Sequence, residues 1–161
     1  MKDHQTRTET AETFWKRMED VTAGMLLTEA HDFVPMSHQV DPEAGMLWFI
    51  TSKGTTAHKA AMEKRDSHFL VAERDAKIYA HVSGTLSEVN DPAKLDEIWS
   101  RVAAAWFEEG REDPDVRLIG LRPANAEIWF TDGGAKFLYE MAKSVTTDAT
   151  PDLGSHEHLT F

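Results

Sequence analysis

The chain contains no cysteine. Disulfides, thiolate metal sites and cysteine nucleophiles are therefore excluded. Cations are also scarce: 17 Lys and Arg stand against 28 Asp and Glu, a formal net charge of −11. Nucleic-acid binding needs clustered cations to neutralise phosphates, and this balance argues against it. It argues equally against an anionic membrane surface. One phosphorylated ligand stays compatible, because a local site needs only a few donors. No apolar run approaches the roughly 20 residues of a membrane span. The segment Met1 to Thr6 is polar and lacks the apolar middle of a secretory signal, so a cytoplasmic location is expected. There is no internal repeat and no Gly-x-Ser-x-Gly element. Gly133-Gly134 lacks the strand–loop–lysine context of a phosphate loop and reads as the start of a helix. His31, His38, His58 and His81 have no metal-ligand spacing, and no metal site is expected. Glu108, Glu109, Glu112, Asp113 and Asp115 read as a solvated loop, without the features of a carboxylate-pair hydrolase.

What is present is an ordinary globular composition: 161 residues, 41% apolar and 28% charged. That fits one domain with a sizeable core. Phe14, Trp15, Met18 and Val21 recur at helical spacing and predict a helix over 8–21. Short strands are expected at 25–28 and 33–40, the second with Pro35 near its start as on an edge or bulge. Turn residues at 41–45 predict a hairpin into an apolar strand over 46–51. A short helix follows at 55–65, then strands at 68–72 and 78–89, with a bulge at Gly84. Asn90-Asp91-Pro92 starts a helix over 93–108, with Leu95, Ile98, Trp99, Val102 and Trp106 inward. Strands at 116–121 and 126–130 flank a turn at Pro123-Ala124-Asn125, and a last helix spans 135–144. Residues 1–145 are thus one domain. Residues 146–161 read as a polar tail, disordered or laid over a partner; His156 and His158 around Glu157 could chelate a metal weakly, but a flexible tail is the better reading. Mostly antiparallel strands with flanking helices suggest a small barrel.

The chemistry-bearing stretch is Met46 to Lys53. An apolar strand ends in Thr51 and Ser52, then Lys53, His58 and Lys59 follow at a turn into a helix. Hydroxyls, amines and N–H groups at a helix start suit a phosphate. Trp48, Ile50, Trp106 and Trp129 can wall a flat apolar slot beside it. Trp15 and Trp99 read as core.

The order of these pieces resembles the pyridoxamine 5'-phosphate oxidase-like superfamily, and within it the general stress protein branch. The likeness covers residues 13–145. It rests on Thr51-Ser52 with His58-Lys59, on Tyr79, on Trp106-Phe107 before Glu108-Glu109-Gly110, and on Trp129. The resemblance implies an antiparallel, Greek-key split β-barrel that binds FMN, with FAD as the alternative, in a groove between two identical subunits. It implies flavin contacts at His38, Ile50, Thr51, Ser52, Lys53, His58, Lys59, Tyr79, Trp106 and Trp129. The chain departs from the family's oxidases at His38, where they carry an arginine three residues after a proline, and by about two extra residues between Ser52 and His58. A flavin-dependent oxidoreductase of unknown substrate is the expectation. A non-enzymatic flavin-binding protein, a cofactor-free dimeric interaction module and a haem or deazaflavin binder are its rivals.

Overall fold

The computed structural model describes residues 2–148, 150, 152 and 154–161, without the side chains of residues 2, 3, 101, 102, 134, 135 and 137. Val102, expected to point inward, lies outside the described side chains. Helix α1 (Lys2–Glu19) leads into strands β1 (Gly24–Glu29), β2 (Asp32–Met36), β3 (Gln39–Asp41) and β4 (Met46–Ser52). A short helix α2 (Thr56–Met62) separates these from β5 (Asp66–Glu73) and β6 (Ile78–Glu88). Helices α3 (Pro92–Ile98) and α4 (Arg101–Trp106) precede the long strand β7 (Val116–Thr131). Helix α5 (Gly134–Thr147) and strand β8 (Gly154–Thr160) complete the chain.

The strands form one antiparallel sheet in the order β2-β1-β5-β6-β7-β4-β3, with β8 also on β7. β2 and β3 lie at opposite ends of that order, yet only Ser37 and His38 separate them in sequence. The sheet therefore curls until its two ends meet, as the expected split barrel requires. Alternation along β1, β5 and β6 puts Leu26, Phe69, Val71, Ile78, Val82 and Leu86 inside. Helix α1 fills the barrel's open side with Phe14, Trp15 and Met18, and α2 adds Ala57, Ala60 and Ala61.

Four expectations change. The strand over 33–40 is broken at Ser37-His38, because His38 turns into the core at the seam; it is buried, Nε2 donating to Met18 O at 2.9 Å. The two strands around Pro123-Ala124-Asn125 are one strand, and the supposed turn is a bulge. Ser83 faces Asn125 and Gly84 faces Pro123, so Ala124 is the extra residue. A Cβ at Gly84 would lie 2.0 Å from the Arg122 carbonyl oxygen, so the bulge needs glycine there. The helix over 93–108 splits at Trp99-Ser100, where Ser100 Oγ accepts from Ala103 N at 3.3 Å and caps α4.

The fourth change is the tail. Its residues 154–160 form β8, paired with this chain's own β7 from Thr131↔Gly154 to Asn125↔Thr160. β4 holds the first half of that edge of β7, over Val116 to Leu121, and β8 the second. Leu159 is buried, and Phe161 meets Phe14 and Trp15 edge-on at 5.3 and 5.5 Å. Few apolar residues mark this strand, which is why it reads as a tail.

Candidate functional site

An open cleft of about 470 Å³ lies between the barrel and α3–α4. Its floor is β4, with Trp48, Ile50, Thr51 and Ser52; Pro35, Met36, Ser37 and Gln39 line the seam side. Thr55 lies at one end, and Ile98, Ser100, Ala103, Trp106 and Phe107 form the facing wall. Leu47 and Phe49 of β4 go to the core, which leaves Trp48 and Ile50 for the cleft.

Trp48 is held from two sides. Behind it sits Gly120 of β7, where a Cβ would come 3.0 Å from the indole and 2.2 Å from Met46 Cε. Its Nε1 donates to Asp41 Oδ2 at 3.1 Å, and Lys94 Nζ reaches the same oxygen at 2.9 Å. Lys94 lies on α3, so this network ties the floor to the wall. Burial alone would raise the Asp41 carboxyl; Lys94 together with the Ala44 and Trp48 N–H groups outweighs it and holds the carboxyl below its ordinary range. On the wall, the break before Ser100 directs α4 so that Trp106 stands 79% exposed.

The turn after β4 is internally satisfied. Thr51 and Thr55 hydroxyls are 2.8 Å apart, and Thr55 Oγ1 accepts from His58 N at 3.2 Å as the cap of α2. Gly54 N donates to His58 Nδ1 at 3.0 Å, Thr55 N to Ser52 O at 3.3 Å, and Lys53 N to Asp115 O at 2.7 Å. These four amides are spoken for, so the anion site expected at the helix start does not have them. What faces the cleft is hydroxyl: Ser37, Thr51, Ser52, Thr55 and Ser100.

The expected site residues fall in four places. Ile50, Thr51, Ser52 and Trp106 line the cleft. His38 and His58 are buried away from it. Burial pushes the His38 imidazole below its ordinary pKa, against the opposing hydrogen bond to Met18. His58, expected at the surface or on a phosphate, instead pins the turn, with Nε2 3.1 Å from Glu88 Oε2 but off hydrogen-bond alignment. Lys53 and Lys59 are exposed and outside the cleft lining. Tyr79 and Trp129 are cross-strand neighbours on the outer face of the sheet, each about two-fifths exposed. Among the described residues, no Lys, Arg or His lines the cleft. Sequence reasoning missed Ser37, Ile98 and Ser100 as lining groups; Ser100 carried a legible signal, a hydroxyl at a potential helix cap.

Residues 9–152 match the family model described as pyridoxamine 5'-phosphate oxidase like. A structure assigned as general stress protein 26 from Jannaschia sp. CCS1 superposes with a TM-score of 0.89 at 44% identity, covering 96% of this chain and 99% of that one. The general stress FMN/FAD binding protein of Xanthomonas citri gives 0.69 at 31% identity, covering 79% and 92%. A general stress family protein of Xanthomonas campestris pv. campestris gives 0.68 at 29%, covering 79% and 90%. No curated protein matches the chain. The match spans most of the chain, and the likeness to the Jannaschia protein is nearly end to end: the chain belongs to the pyridoxamine 5'-phosphate oxidase-like family, in its general stress protein branch.

Proposed function

We propose that the protein binds a flavin, FMN or FAD, in the cleft between β4 and α3–α4, and that it works as a homodimeric flavin-dependent oxidoreductase. The observation that carries the flavin reading is Trp106, 79% exposed and lining an apolar cleft that also presents the hydroxyls of Ser37, Thr51, Ser52, Thr55 and Ser100. A large exposed indole beside an open slot is costly to leave in water and well suited to a flat aromatic ring. The Xanthomonas citri relative is an FMN/FAD binding protein, which agrees.

The residues present fit the ring better than the phosphate. Trp48, Ile50, Trp106 and Phe107 would flank the isoalloxazine, and Thr51, Ser52, Thr55 and Ser100 would meet the ribityl chain and phosphate. Lys53 and Lys59 are the cations nearest Thr51, Ser52 and Thr55 in sequence. Bound flavin would supply two-electron chemistry, from a nicotinamide or similar donor to an acceptor; the chain's own part is to bind, orient and exclude water. Tyr79 and Trp129 sit on the sheet's outer face, away from this chain's cleft. A second copy would let the partner subunit's Tyr79 and Trp129 approach the slot, which supports the homodimer.

The test is an absorbance spectrum of the purified protein, repeated after incubation with FMN and gel filtration. A co-eluting oxidised-flavin spectrum is expected, and its bleaching by NADH or NADPH marks the oxidoreductase. Retained flavin that neither donor reduces points to a flavin-binding protein without turnover. Absence of flavin at micromolar protein would overturn the reading in favour of a cofactor-free module. Stacking on one aromatic contributes about 0.5–1.5 kcal/mol, so Trp106→Ala is expected to weaken FMN binding roughly 2- to 10-fold by fluorescence titration. An unchanged affinity would move the ring elsewhere.

A further inference from the structure

The strand that replaces the expected tail creates a second cluster of chemistry-bearing side chains. In β8, His156 and His158 are two residues apart, so both project from the same face. That face is the outer one, where Glu127 of β7 stands directly opposite His158 and diagonal to His156. Glu157, the acid between the two histidines in sequence, alternates to the other side. The converging acid is therefore the distant one, and no local spacing reveals it.

The geometry is tight. His156 Nε2 lies 2.9 Å from Glu127 Oε1, and His158 Nε2 lies 3.9 Å from that same oxygen. One donor atom from each of the three residues falls within 4.8 Å of the others. A zinc ion with bonds of about 2.0–2.1 Å to three such atoms sets them roughly 3.3 Å apart, between the two distances observed. The His156 ring is also oriented: Trp129 stacks on it at 4.7 Å between centroids and 3° between planes. A surface ion pair explains only half of this arrangement. It accounts for His156, while His158 is drawn towards a carboxylate oxygen too distant for a hydrogen bond and already engaged.

We propose that Glu127, His156 and His158 form a binding site for a divalent transition-metal ion of the zinc class, built across β7 and β8. Two imidazoles and one carboxylate, with no thiolate, suit Zn²⁺, Ni²⁺ or Cu²⁺ rather than Mg²⁺ or Ca²⁺, which take oxygen ligands. The three side chains are 36–75% exposed in the single chain, so water can complete the coordination, and the site borders the face that the proposed homodimer would cover. The net charge of −11 favours a cation. Bound metal fastens β8 to β7. A pair of imidazoles, His68 and His81, lies beside the site, with Nδ1 and Nε2 2.6 Å apart and His81 cross-strand from Glu127.

The experiment is calorimetric titration of Zn²⁺ into tag-free, EDTA-treated, full-length protein, with the melting temperature followed in parallel. Expected are one equivalent per chain and a melting temperature raised by Zn²⁺ but not by Mg²⁺. Losing even a residue that merely supports a metal ligand costs roughly 10-fold or more in affinity. His156→Ala, His158→Ala and Glu127→Gln should each cost at least that, while the exposed turn variant His31→Ala binds as wild type. Far-UV circular dichroism checks each variant's fold, and the wild-type melting shift stands independently of all of them. Absence of saturable Zn²⁺ binding, an equal shift with Mg²⁺, or binding undiminished in both histidine variants would overturn the proposal. Binding lost in His68→Ala and His81→Ala but kept in His158→Ala would overturn it too, in favour of the neighbouring pair.

Discussion

His38 sits where the two ends of the sheet meet, with its Nε2 hydrogen on Met18 O and its Nδ1 buried without a hydrogen-bond partner. A charged imidazole there would need a second acceptor, so burial holds the group neutral and its pKa below the ordinary value. In the unfolded chain the same imidazole takes a proton as pH falls through about 6.5. Between the folded and unfolded values the unfolded state binds more protons, so stability falls as pH falls across that window. Below the folded value both states are protonated and the loss is complete. Asp41 is also depressed, but its stabilisation is present above about 3.9, the unfolded carboxyl value, and is lost only as pH falls through its lower folded value. The two groups are therefore separable by pH. His38→Gln keeps a donor for Met18 O and cannot titrate. Urea midpoints between about pH 5 and 7.5 should fall on acidification in the wild type and stay flatter in this variant. Parallel curves would show that the mildly acidic sensitivity lies outside the seam.

At the scale of elements, β8 makes the most direct claim, because nothing in its composition announces a core strand. Leu159 is nonetheless buried in the main core. Truncation of a buried leucine costs about 2–5 kcal/mol. For a chain of this size each kcal/mol lowers the melting temperature by about 2–4 °C, so Leu159→Ala should lower it by roughly 4–20 °C. A melting curve identical to wild type would mean that the C-terminal strand is undocked in solution. Legibility in the sequence follows the same physics. β4, β5 and β6 are readable because apolar runs or period-two alternation mark most of their length, although β5 extends past the expected 68–72 to Asp66–Glu73. β7 reads as two strands because Pro123-Ala124-Asn125 has the residues of a reversal; only pairing with Gly84 on β6 makes it a bulge. The split between α3 and α4 is masked because the apolar spacing of Leu95, Ile98 and Trp99 runs on towards Trp106, leaving the Ser100 hydroxyl as its sign. The cleft was partly legible, since Ile50, Thr51 and Ser52 follow from a strand entering a hydroxyl turn. His38 and His58 were not, because their partners, Met18 O on α1 and the Gly54 amide, are fixed by tertiary structure and local turn geometry rather than by residue type.

At the scale of the whole molecule, the outer face of the sheet carries half-exposed apolar side chains on five strands, beside the Glu127, His156 and His158 cluster. Phe33 on β2, Met25 on β1, Leu70 on β5, Tyr79 on β6 and Trp129 on β7 are all 38–41% exposed. The pairs Met25↔Leu70 and Tyr79↔Trp129, with Phe33 beside β1, place them on one side of five successive strands. Helix α5 adds Leu138, Met141 and Val145, an exposed apolar stripe at helical spacing. Patches of this kind mark interaction surfaces. A second copy of the chain would be an occupant that also serves the proposed flavin site, because the cleft is open and the outward aromatics are on the wrong side of their own chain to close it. Leu70 lies near the middle of the sheet's apolar face. In an isolated chain Leu70→Glu is a surface change, costing within about 0.5 kcal/mol and leaving the fold intact. At the centre of an apolar interface the same change strands an unpaired carboxylate, at a cost of several kcal/mol. Light scattering after size exclusion should therefore give twice the 18.2 kDa chain mass for the wild type and 18.2 kDa for Leu70→Glu, with retained FMN lost in step. A wild-type monomer would remove the dimer from the proposed function. A Leu70→Glu dimer that still holds FMN would place the interface elsewhere, with the α5 stripe as the next surface to test.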